Sequence, residues 1–278
     1  MKKVSIMMPV YNGLPLIKAS VESILKQTYT NWECIIVDDG STDGTSAYLD
    51  SLSDSRFVVH HFVKNQGRPV ARQKALELTK GEYVTMLDAE DLMSPNRLEE
   101  QVECLEKNPN IALVSSRMCS FGTHTDLTKA RGVLTVTITA FDGKRCPIHA
   151  ASMLRGDKAR LLKYNPMMKL SQDVDFLERY LKGESYMELP FIHYYYTEYD
   201  SVSKRKIRRS YKLNCKKYFK MGRFSPCFTY VLKYIYSVVV YPFVPIESIL
   251  GKRGVDLNQE ERTYFELDCL SIVKKYCS

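Results

Sequence analysis

From residue 4 to about 116 the chain alternates short apolar runs with stretches whose apolar positions recur every three or four residues. Residues 4–8 form an apolar run that Pro9 stops, after which Leu16, Ile17, Val21, Ile24 and Leu25 fall on one face of a helix. A second run over 33–37 ends in Asp38-Asp39-Gly40, and Ser41, Thr42 and Asp43 then offer N-caps for a helix to about residue 52. The same reading predicts strands over 57–63, 83–87 and 111–114 and helices over 69–78 and 95–107, the last opened by Ser94 and Pro95. Such alternation gives an α/β fold with a mostly parallel sheet flanked by helices. Right-handed crossovers bring the C-terminal ends of its strands to one edge, where open sheets bind ligands.

Beyond residue 116 the pattern loosens. Strands are expected over 133–138, 186–189 and 191–196, with a helix over 173–181 and another over 256–278. Residues 228–250 are apolar and aromatic, but Lys233, Pro242, Pro245 and Glu247 interrupt them, so they suit an interface rather than a membrane span. The pattern changes near residues 116 and 203, setting off segments over 1–116 and 117–203. A basic and apolar, mainly helical region follows over 204–278.

At the end of the fourth strand stand three carboxylates in four residues, Asp88-Ala89-Glu90-Asp91. Crowded acids repel one another unless positive charge shares the site. A divalent cation with hard oxygen ligands, accompanied by a diphosphate, answers that need. Pro9 and Asp38-Asp39 fall on the same edge.

Net charge is +8, yet ten Lys and Arg between Lys204 and Arg223, with no acid among them, account for the whole excess. A general attraction to nucleic acid is therefore not indicated. Eight cysteines without a C-x-x-C pair read as reduced thiols of a cytosolic protein, and five scattered histidines do not supply a zinc site. Nothing at the N-terminus resembles a signal peptide.

In their order and spacing, Pro9-Val10-Tyr11-Asn12, Asp38-Asp39-Gly40-Ser41-x-Asp43, Gly67 with Ala71-Arg72, and Gly81-Glu82-Tyr83-Val84 leading to Asp88-Ala89-Glu90 resemble a family-2 glycosyltransferase of the GT-A fold. Ile148-His149 and Ser171-Gln172-Asp173 extend the likeness in patches. The resemblance implies that Tyr11 packs on a nucleotide base, that Pro9 and Val10 shape its pocket, and that Asp39 accepts a hydrogen bond from it. It implies that Arg72 reaches toward the nucleotide and that Asp88 and Ala89 lie by the ribose. Glu90, with Asp88, would bind Mn²⁺ or Mg²⁺, and Asp91 could share that task. Glu90 departs from the family's aspartate but remains a hard donor. Asp173 matches the general base, preceded here by Gln172 instead of glutamate, and His149 lies on the acceptor side. The arginine and histidine usual before Ser201-Val202-Ser203 are replaced by Tyr196 and Glu198, leaving Lys204 or Arg205 to serve the diphosphate.

The family resemblance thus implies single-step, inverting transfer of one sugar from a nucleoside diphosphate, UDP by family frequency, to a glycan or polyprenyl-linked hydroxyl in cell-surface polysaccharide synthesis. The Gln-x-x-Arg-Trp motif of processive relatives is missing, the single tryptophan being Trp32. The expected location is the cytoplasm, with residues 204–250 touching an anionic inner membrane face. Two alternatives compete: a nucleotidyltransferase, for which Gly13 alone makes no Gly-rich loop, and a degenerate sugar-nucleotide-binding module.

Overall fold

All seven residues of β1 (Val4–Val10) are buried, and so are all seven of β2 (Trp32–Asp38). A central parallel strand is covered on both faces, which is why these runs are mostly apolar rather than alternating, with Ser5 and Glu33 buried and hydrogen-bonded to each other. In the computed structural model, which describes residues 1–123, 125–168, 171–220, 222 and 224–277, β2 pairs with β1 and with β3 (Phe57–His61). On its other side β1 pairs with β4 (Tyr83–Met86), and all of these pairs are parallel. Helices α1 (Leu16–Leu25), α2 (Thr45–Asp50) and α3 (Arg68–Leu78) make the crossovers.

The remaining strands are β5 (Leu92–Met93), β6 (Ile111–Gly122), β7 (Thr125–Arg131), β8 (Thr137–Ala140), β9 (Met153–Arg155) and β10 (Ser185–Tyr196). The sheet runs β3-β2-β1-β4-β9-β6-β10-β5. Parallel pairing holds only as far as β4, because β9 inserts antiparallel between β4 and β6. The expected strand over 133–138 lies a few residues later, as β8, antiparallel to Ser185–Glu188 of β10. Pro190 does not split β10, since it falls between the stretches paired with β8 and with β5.

Side chains alternate across the sheet. Ile6, Met8 and Ile36 meet Ile17, Val21 and Ile24 of α1 and Leu98, Val102 and Leu105 of α4 (Arg97–Lys107). Met7, Ile35 and Val37 meet Ala71, Ala75 and Leu76 of α3 and Phe176, Leu177 and Tyr180 of α6 (Gln172–Tyr180), a helix preceded in chain order by the short α5 (Gly156–Ala159). Helix α4 starts at Arg97 and not at Pro95, because Leu92–Met93 first pair as β5 and the chain turns through residues 94–96.

The chain folds as two compact units. The first takes Met1–Cys119, Ala130–Tyr196 and the chain from Leu257 onward. The second, Ser120–Lys129 and Thr197–Asp256, contains α7 (Glu198–Ser201), α8 (Lys204–Lys220), α9 (Phe224–Val239) and α10 (Ile246–Leu250). Within it Ile207, Tyr241 and Leu250 form a small core, and Arg208 Nε donates to the Ser237 carbonyl at 3.0 Å. Arg223, the end of the basic run, lies outside the described residues. In the first unit α11 (Gln259–Phe265) opens with a capping box between Asn258 and Glu261, and α12 (Ser271–Cys277) carries Lys275 and Tyr276, each 2.7 Å from Glu22 of α1. No helix among the described residues is long and apolar enough to cross a membrane.

Candidate functional site

The loops after β1 and β2 are tied to each other. Asn12 takes a positive φ of 53°, its N–H donates to Ser41 Oγ at 2.9 Å, and its Oδ1 accepts from the Thr42 N–H at 2.8 Å. Gly13 and Leu14 donate to Thr45 Oγ1 and Asp43 Oδ2 at 2.9 and 3.1 Å. Ser41 and Thr42 therefore brace the neighbouring loop instead of capping α2, whose N-cap is Gly44. Just before this braced turn Tyr11 has 51% of its surface exposed, while Pro9 and Val10 are buried.

Asp38 and Asp39 are both buried. Asp38 is a structural acid: burial opposes its charge, but hydrogen bonds from Ser41, Ser46 and His61 hold its pKa below the usual carboxylate range. Asp39, 3% exposed, accepts the Gln66 N–H at 2.6 Å and the Gly67 N–H at 2.9 Å. It thereby fixes the turn that starts α3, and one lone pair on each oxygen is already committed.

Helix α3 delivers Arg72, 5% exposed, to Asp88, whose Oδ1 accepts its Nη2 at 3.2 Å. The Arg72 Nε finds no partner among the described residues. Arg68, one helical turn earlier and exposed, also acts on the acids. Burial works against the Asp88 charge, yet Arg72 and Arg68 outweigh it and lower its pKa. Glu90, half-buried, goes the other way, raised by burial and then by the Asp88 charge. Two hard-oxygen donors thus sit close enough to feel each other, a donor set that fits a divalent cation. Among the described residues no group of three or more acidic, His or Cys side chains is placed to hold an ion alone. Further oxygens would have to come from a ligand, as they do where phosphates complete a Mg²⁺ shell.

Asp91 is fully buried and accepts the Tyr194 hydroxyl at 2.6 Å, and that hydroxyl in turn accepts the Asp88 N–H at 3.2 Å. Asp91 therefore shapes the turn, and Ala89 is buried against α1, its carbonyl accepting Ser20 Oγ at 2.8 Å.

His149 and Asp173 belong to the same electrostatic neighbourhood, since both act on Arg72 or respond to it. Burial, then the Arg72 charge, pushes His149 down to about 4, so it is neutral near pH 7. Its Nε2 lies 3.3 Å from the Tyr164 hydroxyl, and Tyr164 stacks on Phe176 with centroids 4.5 Å apart. Asp173 lies in the first turn of α6, after Ser171 at φ 57°, and is partly exposed. Gln172 turns inward and donates to the Met168 carbonyl at 2.8 Å. In the second unit Glu198 accepts from Arg253 at 2.9 Å, an ion-pair role that the sequence did not suggest.

Sequence reasoning passed over Arg68, Tyr164 and Tyr194. The four-residue spacing of Arg68 and Arg72 on one helix face could have revealed the first. In Tyr194-Tyr195-Tyr196 no residue type distinguishes the ring that faces the site.

The sequence profile of glycosyl transferase family 2 matches residues 5–162. A relative in Escherichia coli, the UDP-Glc:alpha-D-GlcNAc-diphosphoundecaprenol beta-1,3-glucosyltransferase WfgD, is 41% identical over 105 residues, which are 38% of this chain and 42% of the relative. The chain spans about two-fifths of the length of the first curated relatives it matches. Among solved structures, Staphylococcus aureus TarS 1-349 in complex with UDP-GlcNAc superposes with a TM-score of 0.61 at 17% identity, covering 99% of this chain and 81% of that one. The mannosyltransferase PcManGT from Pyrobaculum calidifontis, in complex with GDP-Man and Mn²⁺, gives 0.59 at 16%, covering 99% and 87%. At such identities the likeness is one of fold, and that fold is GT-A.

Proposed function

The chain belongs to glycosyl transferase family 2, and from that premise we propose that it moves one sugar from a UDP-sugar to a hydroxyl of a glycan or polyprenyl-linked acceptor, with inversion. The observation that carries this reading is the cluster at the sheet edge, where Arg72 pairs with Asp88 beside Glu90 and electrostatically senses Asp173. Residues 1–203 form the catalytic part in this reading, with the nucleotide in the half over 1–116.

The exposed ring of Tyr11 offers a stacking face to uracil over the Pro9–Val10 floor, and the remaining lone pairs of Asp39 accept from the base. Asp88 and Ala89 line the ribose end. A divalent ion, Mn²⁺ or Mg²⁺, fits the Asp88 and Glu90 oxygens and would neutralise the departing diphosphate. Arg72 and Arg68 add fixed positive charge on the same side. Asp173 takes the proton as the acceptor oxygen attacks the anomeric carbon and the bond to the diphosphate breaks, its electron pair leaving with UDP. One base and no carboxylate nucleophile make this a single displacement. His149, neutral and buried, shapes the acceptor side through Tyr164.

The second unit supplies a reason for a lipid-borne acceptor. The run from Lys204 supplies ten basic residues, and Phe228, Leu232, Ile235, Val239 and Phe243 are all exposed in and after α9. Basic and apolar surface together suit the cytoplasmic face of an anionic membrane, at ~1 kcal/mol per basic residue. A UDP-sugar panel assayed with Mn²⁺ and a polyprenyl-diphosphate-sugar acceptor tests the reading, with product anomers assigned by NMR. Inverted product is expected, and retained configuration would contradict the mechanism.

A further inference from the structure

A cavity of about 490 Å³ lies in the first unit and takes none of the residues assigned above to donor or acceptor. Its separation from the nucleotide edge follows from strand alternation in β10. The Tyr194 side chain points toward Asp88 and Asp91, so His193 and Tyr195 point to the opposite face, and both line this cavity.

The cavity is built for a polar ligand. His193 is 2% exposed: its Nε2 lies 3.1 Å from Glu100, while its Nδ1 has no partner among the described residues. Ser94 Oγ, in a residue 7% exposed, is likewise unpartnered and also lines the cavity. Buried polar atoms are costly when unsatisfied, and two residues of one cavity wall carry such atoms, hydrogen-bonding capacity that a ligand entering there would take up. Two aromatic rings at the rim, Phe191 and Tyr264, are each 53% exposed, and Phe191 leans on His193 with centroids 6.0 Å apart. Glu260 and Asp268 add carboxylate oxygens that accept from hydroxyls, each already held by a tyrosine, Tyr264 and Tyr195 respectively.

We infer that this cavity is an ancillary carbohydrate-binding site that holds an oligosaccharide without acidic groups, away from the reacting sugar. Sugar rings offer apolar faces to the aromatic rim and hydroxyls to His193, Ser94 and the carboxylates. The volume is within the range of small-ligand sites. The acids Glu100, Glu260 and Asp268 repel uronic acids and other anionic sugars. The choice of carbohydrate rests on the transferase reading, whereas the existence of the site rests on the cavity itself.

The test is binding of the labelled full chain to an array of neutral, amino-bearing and uronate-bearing oligosaccharides, with UDP affinity measured on the same samples. Retention of neutral glycans is expected, with uronates rejected. The double variant Phe191→Ala/Tyr264→Ala should lose about tenfold or more of that retention, as removal of two aromatic contacts implies, while UDP affinity stays within about twofold. Retention of no neutral glycan, or equal retention by the double variant, overturns the inference. Displacement of the glycan by spermidine overturns the ligand class in favour of an organic cation. Loss of UDP binding by the wild-type chain would instead strike at the transferase reading.

Discussion

Arg72 donates to Asp88 across 3.2 Å from a helix whose first residue, Arg68, acts on the same carboxylate. Asp88 stays charged because of these cations, and its charge in turn discourages ionisation of Glu90. Arg72 and Arg68 thus lower the Asp88 pKa, while burial and then the Asp88 charge raise that of Glu90.

Replacing Arg72 by methionine keeps the volume and removes the charge. Asp88, partly exposed, would then lose its closest cation, at a cost of about 1–3 kcal/mol. Thermal unfolding should show the loss, and UDP should bind more weakly in calorimetry.

Asp173→Asn removes the proposed base while leaving the nucleotide half intact. Single-turnover transfer should fall by about 10²–10⁴, and the UDP dissociation constant should stay unchanged. Transfer within a factor of two of wild type would remove Asp173 from the mechanism.

Gly40 has a φ of +72°, and a Cβ there would lie 2.7 Å from the Lys64 carbonyl carbon and 2.8 Å from the Asn65 nitrogen. The displaced backbone leads directly into the Gln66 and Gly67 N–H groups that Asp39 holds. Gly40→Ala should cost about 1–3 kcal/mol of stability and weaken UDP binding, read by melting and by calorimetry.

His61 and Asp38 make a pH-dependent contribution of known sign. Burial opposes the charge on His61, but Asp38 and Asp50 raise its pKa, while that of Asp38 is lowered. The pair therefore stabilises fully from above the ordinary aspartate pKa to below the ordinary histidine pKa. The contribution is lost as pH rises through the raised His61 value, and again as pH falls through the depressed Asp38 value. Since His61 is about a third exposed, the melting difference between wild type and His61→Gln should correspond to about 0.5–1 kcal/mol near pH 5–6 and shrink above neutrality.

Membrane docking by the second unit gives a separate expectation. The chain should float with vesicles rich in anionic lipid at low salt and be released as salt screens the basic run. A chain that stays unbound at low salt would contradict this docking.

Much of the parallel half was legible because parallel strands bury both faces and each ends at a polar break. Val4–Val10, Trp32–Asp38 and Tyr83–Met86 all announce themselves as apolar runs. The antiparallel half was harder to read. The three residues of β9 carry no pattern of their own, and β10 continues through Pro190, which lies between the stretches paired with β8 and with β5. Polar breaks at strand ends placed Pro9, Asp38-Asp39 and Asp88–Asp91 along one edge, but they gave no sign that Asp39 braces Gln66 and Gly67 or that Asp91 is closed off by Tyr194. Those contacts link residues 27 to 103 positions apart, beyond the reach of any local pattern. Family membership leaves the nucleotidyltransferase reading without support.

A crystal structure of the chain with UDP and Mn²⁺ reaches the central claim most directly. The expected result is an ion bridging the diphosphate to carboxylate oxygens of Asp88 or Glu90, with uracil stacked on Tyr11. An ion bound away from both carboxylates, or a nucleotide whose base lies far from Tyr11 and Asp39, would contradict it.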